Sequence, residues 1–167
     1  FNQKGGVGKT SIACNLAAIG AAMGYRTLVV DLDVQGNTTH YLVGAIDADA
    51  FPAEAQGVAG LYRQTVGTRK MRQNPDSFVW DTPYENLFLM PSSPVLADME
   101  KELESRYKIY KLRDALEKLD EEYDRVYIDT PPSFNFYSKS ALIAADSVLV
   151  PFDCDSFARQ SLYSLMD

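Results

Sequence analysis

The sequence predicts an α/β fold of three layers, in which a mostly parallel central sheet carries helices on both faces. The first observation is that short apolar runs, typical of buried strands, alternate with stretches of helical spacing along the chain. The second is a glycine-rich loop at residues 4–10 that directly precedes a helical pattern, as phosphate-binding loops do. No internal repeat or low-complexity tract interrupts this alternation, which favours a single domain.

The first helix and strand follow the loop directly. The helix is predicted from Lys9 to Met23, with Gly24 as its stop, and its many alanines predict close packing on a sheet. Its larger apolar residues recur at helical spacing: Ile12, Leu16, Ile19 and Met23. The β-branched run at 27–30 predicts a strand that is covered on both faces.

The rest of the chain repeats the pattern less evenly. Residues 40–82 have no clear period beyond a short helical pattern at 58–66, whereas 87–90 predict a strand followed by a helix near Val95. A second helix has one apolar stripe: Ile109, Leu112, Leu116 and Leu119. The later elements are predicted as a strand at 126–128, a helix at 138–145, a buried strand at 147–152 and a helix from about Ser156.

Composition limits the classes of function. The chain has 167 residues, of which 46% are hydrophobic and 23% charged, as expected of one globular domain with a core. Its net charge of −7 argues against a chain-wide attraction to nucleic acid or to an anionic membrane. Two isolated cysteines and the lack of a long apolar stretch or a signal-peptide pattern predict a reducing, cytoplasmic setting.

The two ends of the sequence suggest a piece of a longer protein. The chain opens at Phe1 directly before the glycine-rich loop, and it stops inside the helical pattern 158–166 without a cap. We therefore expect residues 1–167 to form one domain that is incomplete at both ends.

The glycine-rich loop reads K-G-G-V-G-K-T. Its glycines let backbone N–H groups approach phosphate oxygens, and the helix start adds a partial positive charge. Lys9 would reach the β- and γ-phosphates, Thr10 would bind Mg²⁺, and Ser11 would donate to the α-phosphate. The alternative, a turn that only caps a helix, leaves Gly-Lys-Thr at this spacing unexplained. The predicted nucleotide-binding residues are Lys4, Gly5, Gly6, Val7, Gly8, Lys9, Thr10 and Ser11.

This loop departs from the strict phosphate-loop pattern, because Gln3 replaces the first glycine and Lys4 adds a second lysine. In both respects it resembles the deviant Walker A group of P-loop ATPases, which includes the ParA, MinD and nitrogenase iron-protein families. The resemblance implies a P-loop NTPase fold, and it implies a catalytic Lys4 that reaches the nucleotide of a partner subunit. Such a lysine would act like an arginine finger. The alternative is a solvated surface lysine.

Three aspartates follow predicted strands. Asp31 and Asp33 point the same way by strand alternation, at the edge of the sheet where open α/β folds bind ligands. The run D-L-D-V-Q-G-N resembles a ParA segment, although Val34 replaces the usual proline. The resemblance implies that Asp33 directs the attacking water and that Asp31 supports the magnesium's water shell; for Asp31, a purely structural capping role stays open. Asp129 ends an apolar strand, as a Walker B aspartate that holds Mg²⁺ does.

Within this group the residues after the aspartates resemble ParA most. Gln35-Gly36-Asn37 and Pro132-Ser133 match it better than they match MinD, and Cys14 and Cys154 are not placed like cluster ligands of an iron protein. The resemblance implies ATP and Mg²⁺ as ligands, an ATP-dependent homodimer, a ParB-like stimulating protein, and non-specific DNA binding through regions outside this chain, without a membrane partner. It also implies nucleoid association. The alternatives are a MinD-like regulator of cell division and a nucleotide-binding interaction module with little turnover.

Overall fold

The computed structural model describes residues 6–44, 56–64, 73–105 and 108–151. Within these ranges two short 3₁₀ turns, Pro75–Phe78 and Lys108–Tyr110, accompany the helices and strands. The elements in chain order are α1 (Lys9–Ala22), β1 (Thr27–Asp31), α2 (Asn37–Val43), α3 (Gly57–Arg63), β2 (Trp80–Asp81), β3 (Leu87–Met90), α4 (Leu96–Ser105), α5 (Lys111–Leu116), β4 (Arg125–Asp129) and α6 (Phe136–Ala144).

The four strands form one sheet in the order β2-β3-β1-β4. The central strand β1 pairs in parallel with β3 on one side and with β4 on the other. Only the two-residue strand β2 runs antiparallel, along the outer edge of β3. The prediction of a mostly parallel sheet is therefore confirmed for the described residues.

Residues of β1 alternate between two hydrophobic clusters on opposite faces of the sheet. Leu28 and Val30 pack with apolar side chains of α3, α4, α5 and α6. Val29 points to the other face and packs with Ala17 and Ala21 of α1. The side chains of Leu28, Val29 and Val30 are all completely buried, as expected of a strand covered on both sides. The three-layer arrangement is confirmed.

Helix α1 packs closely on the sheet, as predicted, but through its smallest residues. Ala17, Gly20 and Ala21 are its buried positions. A Cβ atom added to Gly20 would lie 3.1 Å from Thr27 Oγ1, so this face leaves little space for a side chain. By contrast, Ile19 and Met23 of the apolar stripe are 57% and 68% exposed in the described structure.

The predicted buried strand at 147–152 is wrong for the part that the structure describes. Residues 147–151 join none of the strands in the described ranges, and Val148 and Leu149 are about half exposed. An apolar β-branched run forms a strand only where a neighbouring strand offers a hydrogen-bond partner, which its own residues cannot specify. Phe152, Cys154 and the helix predicted from Ser156 lie outside the described residues.

The other predicted elements within the described ranges are present, with bounds that differ from the expected ones by up to three residues, and the second predicted helix begins as a 3₁₀ turn. Helix α2 lies in a stretch for which no element was predicted. Among the described helices, none combines the length and the apolar character that crossing a membrane requires.

One glycine at the start of α3 is sterically required. Gly57 has a φ of +56°, and its neighbour Val58 donates its backbone N–H to the carbonyl of Pro91 at 3.0 Å. A Cβ at Gly57 would lie 2.3 Å from that same carbonyl oxygen. This contact fixes the start of α3 against the segment that follows β3.

Replacing Gly57 with alanine is expected to lower the free energy of unfolding by about 2–5 kcal/mol. The left-handed backbone contributes about 1–2 kcal/mol, and the clash with the Pro91 carbonyl adds about 1–3 kcal/mol. Urea unfolding measures the difference. The matched control is Gly24→Ala, where φ is +90° but the added Cβ would meet nothing within 4 Å. Equal losses in the two variants would contradict the role of the Pro91 contact.

Candidate functional site

The predicted site residues of α1, β1 and β4 meet at the carboxyl edge of the sheet. Asp31 and Asp129 end adjacent parallel strands and are register partners. The hydroxyl of Thr10, in the first turn of α1, donates a hydrogen bond to Asp129 Oδ2 at 2.7 Å. The structure therefore joins the phosphate-loop helix directly to the strand-end carboxylates.

The described part of the loop has the backbone that its glycines predict. Gly6 and Gly8 have φ values of +79° and +84°, and a Cβ at either position would meet nothing within 4 Å. The Gly8 carbonyl accepts the N–H of Ile12 at 2.8 Å, which begins the helix. Val7 lies between the two glycines, and Ser11 is exposed in the first helical turn. Lys4 and Gly5 lie outside the described residues.

Asp129 is the centre of the site. Its Oδ2 atom accepts hydrogen bonds from two hydroxyls, Thr10 Oγ1 at 2.7 Å and Thr38 Oγ1 at 2.8 Å. Burial raises the pKa of Asp129 above its ordinary value, while these two hydroxyls act in the opposite direction by stabilising the carboxylate. Both hydroxyls are fixed as donors to this oxygen as long as Asp129 is ionised.

Lys9 supplies positive charge beside these carboxylates. Burial lowers the pKa of Lys9, and the attraction of Asp129 and Asp33 opposes that change. The lysine therefore lies within electrostatic reach of both aspartates, on the helix whose start follows the loop. A phosphate group at this edge would meet a cation and the first N–H groups of α1 together.

Asp31 is completely buried and holds the segment that follows it. Its Oδ1 atom accepts the N–H of Asp33 at 3.1 Å, and its Oδ2 atom accepts both the N–H and the hydroxyl of Thr39, at 2.9 and 2.7 Å. Burial raises the pKa of Asp31 to about 7, against the effect of these hydrogen bonds. Its carboxylate thus fixes the backbone at residues 33 and 39, the two ends of this segment.

Asp33 lies at the start of that segment and is 8% exposed. Its Oδ1 atom accepts the Gln35 N–H at 3.0 Å, and its carbonyl oxygen accepts the Gly36 N–H at 2.9 Å. Its side chain is therefore held in a tight turn, close enough to Lys9 for the two charges to attract. The structure brings together Lys9, Thr10, Asp31, Asp33 and Asp129.

Three hydroxyl residues of this network were not singled out from the sequence: Thr38, Thr39 and Ser92. Adjacent threonines in the first turn of α2 contact two different aspartates. Thr38 contacts Asp129 at the end of β4, and Thr39 contacts Asp31 at the end of β1. Two adjacent hydroxyl residues directly after the aspartate segment were the available signal. Their partners, however, depend on long-range contacts that no local pattern encodes.

The donor set suits a magnesium ion in a nucleotide site. Because the Thr10 proton points to Asp129, the lone pairs of the Thr10 oxygen remain free for a cation. Hydroxyl and carboxylate oxygens are hard ligands of the kind that Mg²⁺ prefers. A cleft of about 900 Å³ runs along β4 between α1, α5 and α6 and touches this edge at Lys9 and Asp129, whereas Thr10, Asp31 and Asp33 do not line it.

Comparison with known proteins identifies the group to which this chain is similar. A family model described as AAA domain matches residues 1–167. The chain is 37% identical to the chromosome partitioning protein ParA of Myxococcus xanthus over 166 residues, which are 98% of this chain and 54% of that protein. It is 36% identical to the sporulation initiation inhibitor protein Soj of Bacillus subtilis, over 99% of this chain and 61% of that protein.

A solved structure with bound nucleotide is also similar to this chain over nearly its whole length. The chain is similar to cobyrinic acid a,c-diamide synthase from Mycobacterium smegmatis with a bound ATP analogue and magnesium, with a TM-score of 0.81 and 34% identity over 99% of this chain and 63% of that one. The chain therefore spans between about half and two thirds of the lengths of these three proteins.

Proposed function

The chain belongs to the AAA domain family, and because it resembles ParA and Soj partitioning proteins, we propose that it is an ATP-hydrolysing switch that acts in DNA partitioning. The proposal places ATP and Mg²⁺ at the carboxyl edge of the sheet. Assembly and release of a dimer would be its output. It would work in the cytoplasm and associate with the nucleoid when ATP is bound.

One observation supports this proposal most directly. The hydroxyls of Thr10 and Thr38 converge on one oxygen of Asp129, so the phosphate-loop helix and the segment after Asp33 share a single carboxylate. A ligand that moves Thr10 would thereby also affect the segment that carries Asp33. Such coupling is what a nucleotide-dependent switch requires.

In the proposed binding mode, the backbone N–H groups of residues 5–8 surround the phosphates, Lys9 contacts the β- and γ-phosphates, and Ser11 donates to the α-phosphate. Thr10 and Asp129 would hold the magnesium, with Asp31 supporting its water shell from behind. The bound ion would neutralise charge that develops on the phosphates. Asp33 would orient the attacking water.

Dimerisation would complete the site. We assign Lys4 to the partner's nucleotide, where its charge would stabilise the transferring phosphoryl group only when two subunits meet. A ParB-like protein would stimulate this step. With a net charge of −7 on this chain, non-specific DNA binding is assigned to regions outside it.

The deciding experiment measures ATP hydrolysis and DNA binding on the full-length protein. We expect Mg²⁺-dependent release of phosphate, together with a gel shift of unrelated DNA that requires ATP and weakens steeply as salt increases. Binding of ATP without turnover would favour an interaction module instead. ATP-dependent binding to anionic vesicles without DNA binding would favour a MinD-like regulator.

A further inference from the structure

Ser92 contacts the catalytic segment from a third strand. It follows Pro91 beyond the end of β3, it is completely buried, and it belongs to none of the motifs that identify the site. Its hydroxyl donates to the backbone carbonyl of Asp33 at 2.5 Å. Its own N–H donates to the hydroxyl oxygen of Thr39 at 3.0 Å.

These two contacts hold the segment from Asp33 to Thr39 at both ends. The Thr39 hydroxyl in turn donates a hydrogen bond to Asp31 Oδ2 at 2.7 Å, so the contacts continue from β3 to the carboxylate at the end of β1. Between the two ends Gln35 is exposed and Val34 is only partly buried. The position of the Asp33 backbone therefore depends on the buried contacts at the ends, of which Ser92 supplies two.

We propose that Ser92 is a positioning residue for ATP hydrolysis, which fixes the Asp33 backbone so that its carboxylate faces the attacking water. This inference rests on the proposed function, because it assumes that Asp33 directs the water. Loss of the Ser92 hydroxyl removes one of two donors to the Asp33 carbonyl; the Gly36 N–H remains. Asp33 then moves more freely, while the residues that contact the phosphates keep their places.

The expected consequence is a change in turnover and not in ATP binding. Ser92→Ala should lower kcat about 10- to 100-fold, because displacing a positioned group by about 1 Å can cost a factor on the order of 100. The KM for ATP should stay within about threefold, since Lys9 and the loop are untouched. Phosphate release over a range of ATP concentrations separates the two parameters.

The chain offers a matched control in the next residue. Ser93 is also a buried serine, but its Oγ atom accepts the Val95 N–H at 3.4 Å, ahead of α4. Ser93→Ala should therefore leave kcat within about twofold of the wild type, because its hydroxyl contacts no part of the Asp33 segment in the hydrogen bonds described. Ser92→Cys keeps a side chain of similar size but replaces the hydroxyl with a weaker hydrogen-bond donor. It should therefore also lose turnover, because the role of Ser92 depends on its hydrogen bond and not on its packing.

A double-mutant cycle distinguishes positioning from a general loss of stability. Single-turnover hydrolysis with enzyme in excess measures the small residual rate of Asp33→Ala. Adding Ser92→Ala to that background should not lower the residual rate further, because the group that Ser92 positions is already absent. Wild-type turnover in both Ser92→Ala and Ser92→Cys would overturn the positioning role of Ser92 and leave the proposed function standing. A full-length wild type that binds but does not hydrolyse ATP would overturn the proposed function, and the role of Ser92 with it.

Discussion

Replacing Lys9 with alanine is expected to weaken ATP binding by about 30-fold or more and to abolish measurable hydrolysis. Lys9 is partly buried in the first turn of α1 and is attracted by Asp129 and Asp33. In the complex with ATP, Lys9 and the phosphates would form a charge pair shielded from water. Removing one partner of such a pair costs about 2–5 kcal/mol of binding free energy, and each 1.4 kcal/mol is about a factor of ten in affinity. Without Lys9, the negative charges of Asp33 and Asp129 would lose a cation that compensates them beside the bound phosphates.

Titration with a fluorescent ATP analogue and an assay of phosphate release test this prediction. The control is Lys101→Ala, which removes an exposed lysine of α4 that takes no part in the site. Both variants change the net charge equally, so a difference between them reports position and not overall charge. Unchanged ATP affinity in Lys9→Ala would contradict the assignment of the loop.

The parts of the site that sequence could predict are those fixed by local chain geometry. Gly6 and Gly8 occupy a loop that leads directly into Lys9, the first residue of α1, so the spacing of these residues is set by a few bonds. Asp31 and Asp129 end apolar runs, and parallel strands place their carboxyl ends at one edge of the sheet. Alternation along the chain therefore predicts that these residues meet, without any knowledge of their distances.

The parts that could not be predicted depend on contacts between distant segments. Ser92 and Asp33 are 59 positions apart, and their hydrogen bond exists only because β3 lies beside β1. The burial of α1 on its alanine and glycine face, with Ile19 exposed, follows from the space beside Thr27 and not from hydropathy. Likewise, the apolar run at 147–151 has no strand partner in the described ranges, which its composition could not reveal.

Lys4→Ala is expected to lower ATP turnover by a factor on the order of 1,000 or more while leaving ATP binding within about threefold, as loss of a cation supplied across an interface does. The physical reason is that Lys4 is assigned to the transition state of the neighbouring site and not to binding within its own subunit. The assay compares kcat and ATP affinity in the same preparation. Lys101→Ala again serves as the charge-matched control.

Mixing two variants that each have little turnover alone tests whether Lys4 acts on the partner's nucleotide. In a dimer of one Lys4→Ala subunit and one Asp33→Ala subunit, the first subunit keeps its own Asp33 and receives an intact Lys4 from its partner. One of the two sites is then complete, so an equal mixture should recover about a quarter of the wild-type rate when subunits of a symmetric dimer exchange freely. If Lys4 served its own subunit, each site would lack one group, and the mixture would stay as inactive as its components. Recovery therefore requires both the shared site and the assignment of Asp33, and its absence with confirmed subunit exchange would contradict the action of Lys4 across the interface.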